Sequence, residues 1–120
     1  MNFCIFTLIQ MKVRLIKKKS IENFALQNAR SRSAFKTWLA IIKRVDWNEP
    51  GDIADSFGSS DLLGNGSNRV VFDFAGNHYR MICTYHVGRT RLHLYIKWIG
   101  THAEYSELCS YNQQYTINIY

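Results

Sequence analysis

The stretch Arg91-Leu92-His93-Leu94-Tyr95-Ile96-Lys97-Trp98-Ile99 decides the fold. Leu92, Leu94, Ile96 and Trp98 alternate with Arg91, His93, Tyr95 and Lys97. A period of two is the mark of a strand with one buried and one wetted face. Upstream, Gly88 marks a turn, and His78 to His86 has the same period. In that second strand His78, Arg80, Ile82, Thr84 and His86 share one face, while Tyr79, Met81, Cys83 and Tyr85 share the other. Gly76-Asn77 separates it from a strand over Arg69 to Ala75. Glycine in the first position of such a two-residue turn favours type II′, which needs φ > 0 there. Downstream, Thr101 stands three residues before Glu104, a capping box that opens a short last helix. The tail from Ser110 to Tyr120 is polar and Tyr-rich, with no period beyond an alternation at its end.

Before Arg69 the period is 3.6. Phe35, Trp38, Leu39, Ile42 and Val45 fall at helical spacing, behind Ser31 or Ser33 as the cap. Ser20, followed by Ile21, Phe24 and Ala25, predicts an earlier helix reaching about Asn28. Val13 and Leu15 mark a short strand that starts at Lys12. Asp46 to Gly66 reads as a loop, with a helical turn at Asp52 to Phe57. The order β-α-α-β-β-β-α is an α+β fold: two N-terminal helices packed on a small antiparallel sheet, then a short C-terminal helix. The sheet face away from the helices is left open to solvent.

A chain of 120 residues that is 47% hydrophobic forms one domain and is not wholly disordered. Its three cysteines, Cys4, Cys83 and Cys109, are odd in number and lack a C-x-x-C spacing. A disulfide framework and a cysteine zinc site are therefore not expected, and three free thiols fit a reducing cytoplasm. His78, His86 and His93 lack paired ligand spacing, so they read as structural or surface residues, and neither metal nor cofactor is expected. The apolar-rich start, Met1 to Ile9, is far shorter than the roughly 20 residues of a membrane span and lacks the features of a signal peptide. The expected location is the cytoplasm, without membrane association. A pI near 9.4 points to an anionic partner, nucleic acid ahead of a membrane surface. The charge is uneven: residues 11–45 carry a net +9 and residues 46–62 a net −5.

Hairpin pairing places Arg80, Lys97 and Tyr95 on the open face, and the capped turn lets His102 and Tyr105 overhang it. Two cations neutralise a phosphate, an imidazole moves a proton near neutral pH, and a phenol ring stacks on a base or hydrogen-bonds a phosphate oxygen. Those are the parts needed to cut RNA without a metal ion. Arg80, Lys97, His102 and Tyr105 are therefore the candidate catalytic residues. Arg69 and Tyr95 are candidate RNA contacts. The run Lys17-Lys18-Lys19 is a solvated face that also reaches phosphates non-specifically.

The stretches Asp46-Trp47-Asn48-Glu49-Pro50, Asn68-Arg69-Val70-Val71-Phe72, Gly76-Asn77-His78-Tyr79-Arg80 and Gly100-Thr101-His102-Ala103-Glu104-Tyr105 together resemble the HigB family of type II toxins, an offshoot of the RelE-like mRNA interferases. The resemblance covers about Met11 to Leu108, which defines a toxin domain over 11–108, an N-terminal extension over 1–10 that ends before a second possible start at Met11, and a C-terminal tail over 109–120. It implies a RelE-like fold and an endoribonuclease of mRNA, ribosome-associated in many relatives. It implies metal-free attack by the 2′-hydroxyl on the adjacent phosphate. It also implies a HigA-like helix-turn-helix antitoxin, with operator DNA bound only through the toxin–antitoxin complex. By position, Arg80 becomes the clamp on the scissile phosphate, His102 a general acid or base, and Tyr105 a phosphate or base contact. Glu104 remains the cap residue. Lys97 stands where the family commonly has Arg, which keeps the charge and loses the bidentate fork. Two other readings use the same surface: an RNA- or ribosome-binding module that cuts weakly, and an interaction protein that mainly binds the antitoxin.

Overall fold

Six strands form one mixed sheet, in the spatial order Asp46–Trp47, Met11–Ile16, Arg91–Thr101, Tyr79–Val87, Arg69–Phe74 and Ser60–Leu62. The computed structural model describes residues 11–47, 49–58, 60–76 and 78–120. The expected N-terminal extension over 1–10, Cys4 and Asn77 lie outside the described residues. The chain runs β1 (Met11–Ile16), α1 (Lys18–Gln27), α2 (Arg32–Ile42), β2 (Asp46–Trp47), α3 (Gly51–Ser56), β3 (Ser60–Leu62), β4 (Arg69–Phe74), β5 (Tyr79–Val87), β6 (Arg91–Thr101) and α4 (His102–Ser110). Short 3₁₀ turns precede α2 and follow α4.

The architecture is α+β, but the sheet is neither small nor purely antiparallel. β1 pairs in parallel with β6, from Lys12 opposite Arg91 to Ile16 opposite Tyr95. β2 and β3 extend the two edges out of the segment read as loop. Strands of two and three residues carry too little alternation to register as a period. The hairpin between β4 and β5 turns where expected: Gly76 has φ +61° and the His78 N–H donates to the Ala75 carbonyl at 3.3 Å.

Helix α1 starts earlier than Ser20. The chain leaves β1 through Lys17 in the left-handed region, φ 74°, and no side chain caps the helix start. Ser20 sits inside the first turn, its N–H donating to the Lys17 carbonyl. The α1–α2 corner is held by side chains. Asn28 Nδ2 donates to the Phe24 carbonyl, Ser31 Oγ to the Asn28 carbonyl, and Arg32 Nε to the Ala25 carbonyl at 3.0 Å. The Phe24 and Asn28 carbonyls also accept backbone N–H groups, whereas Arg32 satisfies a carbonyl of the last turn that the helix end leaves open. On α2, Phe35, Trp38 and Ile42 are buried as their spacing requires. They pack with Ile21 of α1 against Val70, Phe72 and Phe74 of β4 and the inward side chains of β5 and β6.

The alternation on β6 breaks once, and the break changes the meaning of its last residues. Cys83 faces Ile96 but Ile82 faces Trp98, so Lys97 is the extra residue of a β-bulge. A one-residue slip transfers later side chains to the opposite face. Leu92, Leu94 and Ile96 are fully buried on the helix side, as is Ile99 at 5% exposure. The alternation predicts Trp98 in that row, and the structure corrects this. Trp98 turns to the other face and packs with Val71, Ile82, Tyr105 and Leu108.

That second face is therefore not simply open. Helix α4 lies on it over Trp98, with the expected capping box intact: Thr101 N–H donates to Glu104 Oε1 at 2.7 Å and Glu104 N–H to Thr101 Oγ1 at 3.2 Å. Gly100 leaves room for this packing, because a Cβ there would run into the Trp98 ring. The tail then crosses the same face. Arg69, 6% exposed, donates through one guanidinium nitrogen to the carbonyls of Gln114 at 3.2 Å and Ile117 at 2.7 Å, and the Ile119 N–H reaches the Lys97 carbonyl. Among the described residues no helix is long and apolar enough to cross a membrane.

Candidate functional site

The two-residue hairpin turn fixes the register of β4 on β5, and that register places Asp73 directly opposite Arg80. On its other side Arg80 faces Gly100 of β6, which has no side chain to crowd it. Arg80 Nε lies 3.0 Å from Asp73 Oδ1, with both side chains 18% exposed. The contact is an ion pair without hydrogen-bond alignment, so the Nε–H has no acceptor among the described residues. The guanidinium carbon sits 4.9 Å from the centre of the Tyr105 ring. Charge on one side and a ring face on the other hold the planar group in place.

Tyr105 is buried, tilted against Trp98 with ring centres 6.2 Å apart. Its position suits it to orient Arg80, and its buried ring is not a free stacking surface. Burial first, then the hydrogen bond with Cys109, push its phenol well above the ordinary value, against the pull of Arg80. The phenol stays protonated at neutral pH, so it is a hydrogen-bond donor and not a base.

His102 opens α4 as an exposed residue, its N–H donating to the His78 carbonyl at 3.0 Å. With Arg30, His78, Tyr79 and Thr101 it lines a cleft of about 480 Å³ at the end of the sheet. Burial raises the Asp73 carboxyl, while Arg80 and the nearby His102 oppose that rise and Asp61 adds to it. Asp73, Arg80, His102 and Tyr105 thus form one electrostatic group.

The sequence candidates do not include Asp73 or Asp61, which the fold brings to this group. The signal for Asp73 was present: a turn at Gly76-Asn77 makes residues 73 and 80 partners. Arg30 and His78 join the cleft through the fold, and nothing in their local sequence marks them.

The remaining candidates lie elsewhere. Lys97 is on the bulge, its Nζ 5.6 Å from the centre of the Tyr95 ring. It keeps company with Tyr95, while the partners of Arg80 are Asp73 and Tyr105. Arg69 is buried and spends its guanidinium on the tail. Lys17, Lys18 and Lys19 are exposed at the start of α1. Cys83 is buried and Cys109 half-buried, both as free thiols. Among the described residues no three His, Cys, Asp or Glu side chains gather as a metal site.

The raised Asp73 carboxyl has a measurable consequence. A carboxyl with a raised value in the folded state lends stability below its unfolded value and loses it as pH rises through the folded one. The stability of the wild type relative to Asp73→Asn should therefore fall as pH climbs through and just above the ordinary carboxylate range. Urea midpoints of both proteins across that range check this. A difference that grows with pH would mean that the Arg80 pairing outweighs burial.

A family model described as HigB_toxin, the RelE-like toxic component of a toxin-antitoxin system, matches residues 31–108, more than half of the chain. The matched span contains Asp73, Arg80, Lys97, His102 and Tyr105. It starts later than the resemblance over 11–108, leaving out β1 and α1. No curated protein matches the chain.

Proposed function

The chain belongs to the HigB toxin family, the RelE-like toxic components of toxin–antitoxin systems, and from that premise we propose that it is an endoribonuclease that cuts mRNA. Membership also implies an antitoxin partner. In our reading this is a HigA-like helix-turn-helix protein that carries the complex to operator DNA, and the toxin works in the cytoplasm on mRNA held by the ribosome.

The observation that supports the reading best is the guanidinium of Arg80, set between Asp73 and the Tyr105 ring, with His102 opening the helix that carries Tyr105. In the proposed reaction the 2′-oxygen forms a bond to phosphorus as the bond to the 5′-oxygen breaks. The 2′-hydroxyl gives up its proton to a base, and the departing 5′-oxygen receives one from an acid. Arg80 neutralises charge on the non-bridging oxygens, where a preorganised cation is worth most. Nε itself is buried against Asp73, which leaves the terminal guanidinium nitrogens as the donors for those oxygens. His102 takes one of the two proton transfers, a task suited to an imidazole near neutral pH. The products are a 2′,3′-cyclic phosphate and a 5′-hydroxyl.

Induced expression without the neighbouring antitoxin gene tests the biological half of this reading. Growth should stop and transcripts should shorten within minutes. Arrest with intact transcripts would point to binding without cleavage, and no arrest would contradict the toxin role of this chain.

A further inference from the structure

Beyond α4 and the tail, the same sheet face continues toward the other end of β1, β5 and β6. These three strands contain no Asp or Glu, yet they carry Lys12, Arg14, Arg80, His86, Arg91, His93 and Lys97. Register sets Arg14, His93 and His86 side by side in one row across the sheet. Because Leu92 and Leu94 are fully buried on the helix side, His93 and Tyr95 point to the opposite face.

Three rings gather there. His86 meets Tyr95 edge-to-face with centres 5.5 Å apart, and His93 lies nearly parallel to Tyr95 at 6.4 Å. Lys97 places its ammonium over the Tyr95 ring. His93 is seated against the β5–β6 turn, where a Cβ on Gly88 would come within 3.0 Å of its Nε2, and its buried Nδ1 has no hydrogen-bond partner among the described residues. Unlike the buried Tyr105, Tyr95 is half-exposed and His86 exposed.

We propose that His86, His93 and Tyr95, flanked by Arg14 and Lys97, form a second binding site that stacks and neutralises single-stranded RNA flanking the cleavage point. The proposal deepens the ribonuclease reading and rests on it. Rings interleaved with cations, and no carboxylate among them, are what a strand of bases and phosphates needs. An acidic peptide would be served by the charges alone and has no use for presented ring faces. Position agrees: Tyr95 lies five residues before Gly100, the neighbour of Arg80, which is about 16 Å along β6. That is a span of a few nucleotides on one continuous face. Ile16 pairs with Tyr95, so the run Lys17–Lys19 begins at the platform's edge.

The test uses a labelled single-stranded oligoribonucleotide with every 2′-oxygen methylated, which blocks cleavage and leaves binding to be read by fluorescence anisotropy. Tyr95→Ala should weaken binding about tenfold, the scale of one lost stacking contact. Arg14→Gln, an exposed change, should leave the thermal midpoint in place and reduce the slope of log affinity against log salt by about 0.7, as for one lost phosphate contact on a single strand. Unchanged affinity in both variants, or loss of antitoxin binding with RNA binding intact, overturns the proposal. So does failure of the wild type to bind the oligonucleotide while it still cuts transcripts, a result that leaves the ribonuclease reading standing. Binding that is lost in Tyr95→Ala, from a protein that cuts nothing, supports the platform and removes the ribonuclease reading instead.

Discussion

Arg80→Ala should lower the rate of RNA cleavage about 10²–10³-fold, the usual cost of removing one preorganised group that stabilises transition-state charge. The protein should remain folded. Arg80 is the only cation paired with Asp73 in the described structure, yet its loss does not strand a charge. The Asp73 side chain is 18% exposed, so water can take the place of the guanidinium beside its carboxyl. Antitoxin binding and the circular dichroism spectrum should therefore match the wild type. Arg80→Lys should recover only part of the rate, because an ammonium keeps the charge but not the planar fork between Asp73 and the Tyr105 ring. Toxicity unchanged in Arg80→Ala would remove this residue from the mechanism.

Trp98→Ala should have the largest effect on stability. Trp98 is 7% exposed and lies under α4, against Tyr105 and Leu108. Truncating a buried tryptophan costs about 3–5 kcal/mol, which is on the order of 10–20 °C in thermal midpoint for a domain of this size. The loss should unseat α4 and with it His102 and Tyr105, so activity should fall together with the midpoint. Gly100→Ala should act in the same direction and less strongly, by pushing a methyl group into the Trp98 ring. The contrast with Arg80→Ala, which lowers activity without moving the midpoint, separates the chemistry from its scaffold. A Trp98→Ala midpoint near that of the wild type would show that α4 is seated by other contacts.

Local pattern carried the reading of the sequence wherever structure follows from neighbours in the chain. The helix of Phe35, Trp38 and Ile42, the turn at Gly76 and the capping box of Thr101 and Glu104 are set by spacing and by single-residue chemistry, and they stand as read. Non-local features did not announce themselves. The parallel pairing of β1 with β6 joins segments some 80 residues apart. The bulge at Lys97 interrupts an alternation that is unbroken in the sequence, with neither glycine nor proline to mark it. That one residue moved Trp98 to the far face and turned an open surface into one half covered by α4.

The candidate site divides in the same way. Arg80 and Tyr105 meet because one is set by the hairpin register and the other by the capped helix, both local signals. Arg69 has a strand position that resembles a face-presenting cation, but the carbonyls of Gln114 and Ile117 come from more than 40 residues away to claim it. Lys97 is drawn toward Tyr95 by the bulge. Pairs of distant residues decide which cation remains available, and no local window contains both members.

The central claim is that Arg80 promotes attack of a 2′-hydroxyl on its own phosphate. The most direct measurement is the chemistry of the ends left when purified toxin acts on ribosome-bound mRNA, with wild type and Arg80→Ala in parallel. The account predicts 2′,3′-cyclic phosphate and 5′-hydroxyl ends from the wild type, no cutting at a site whose 2′-hydroxyl is replaced by hydrogen, and a loss of about 10²-fold or more in the variant. Ends bearing a 3′-hydroxyl and a 5′-phosphate, or equal cutting by Arg80→Ala, would contradict it.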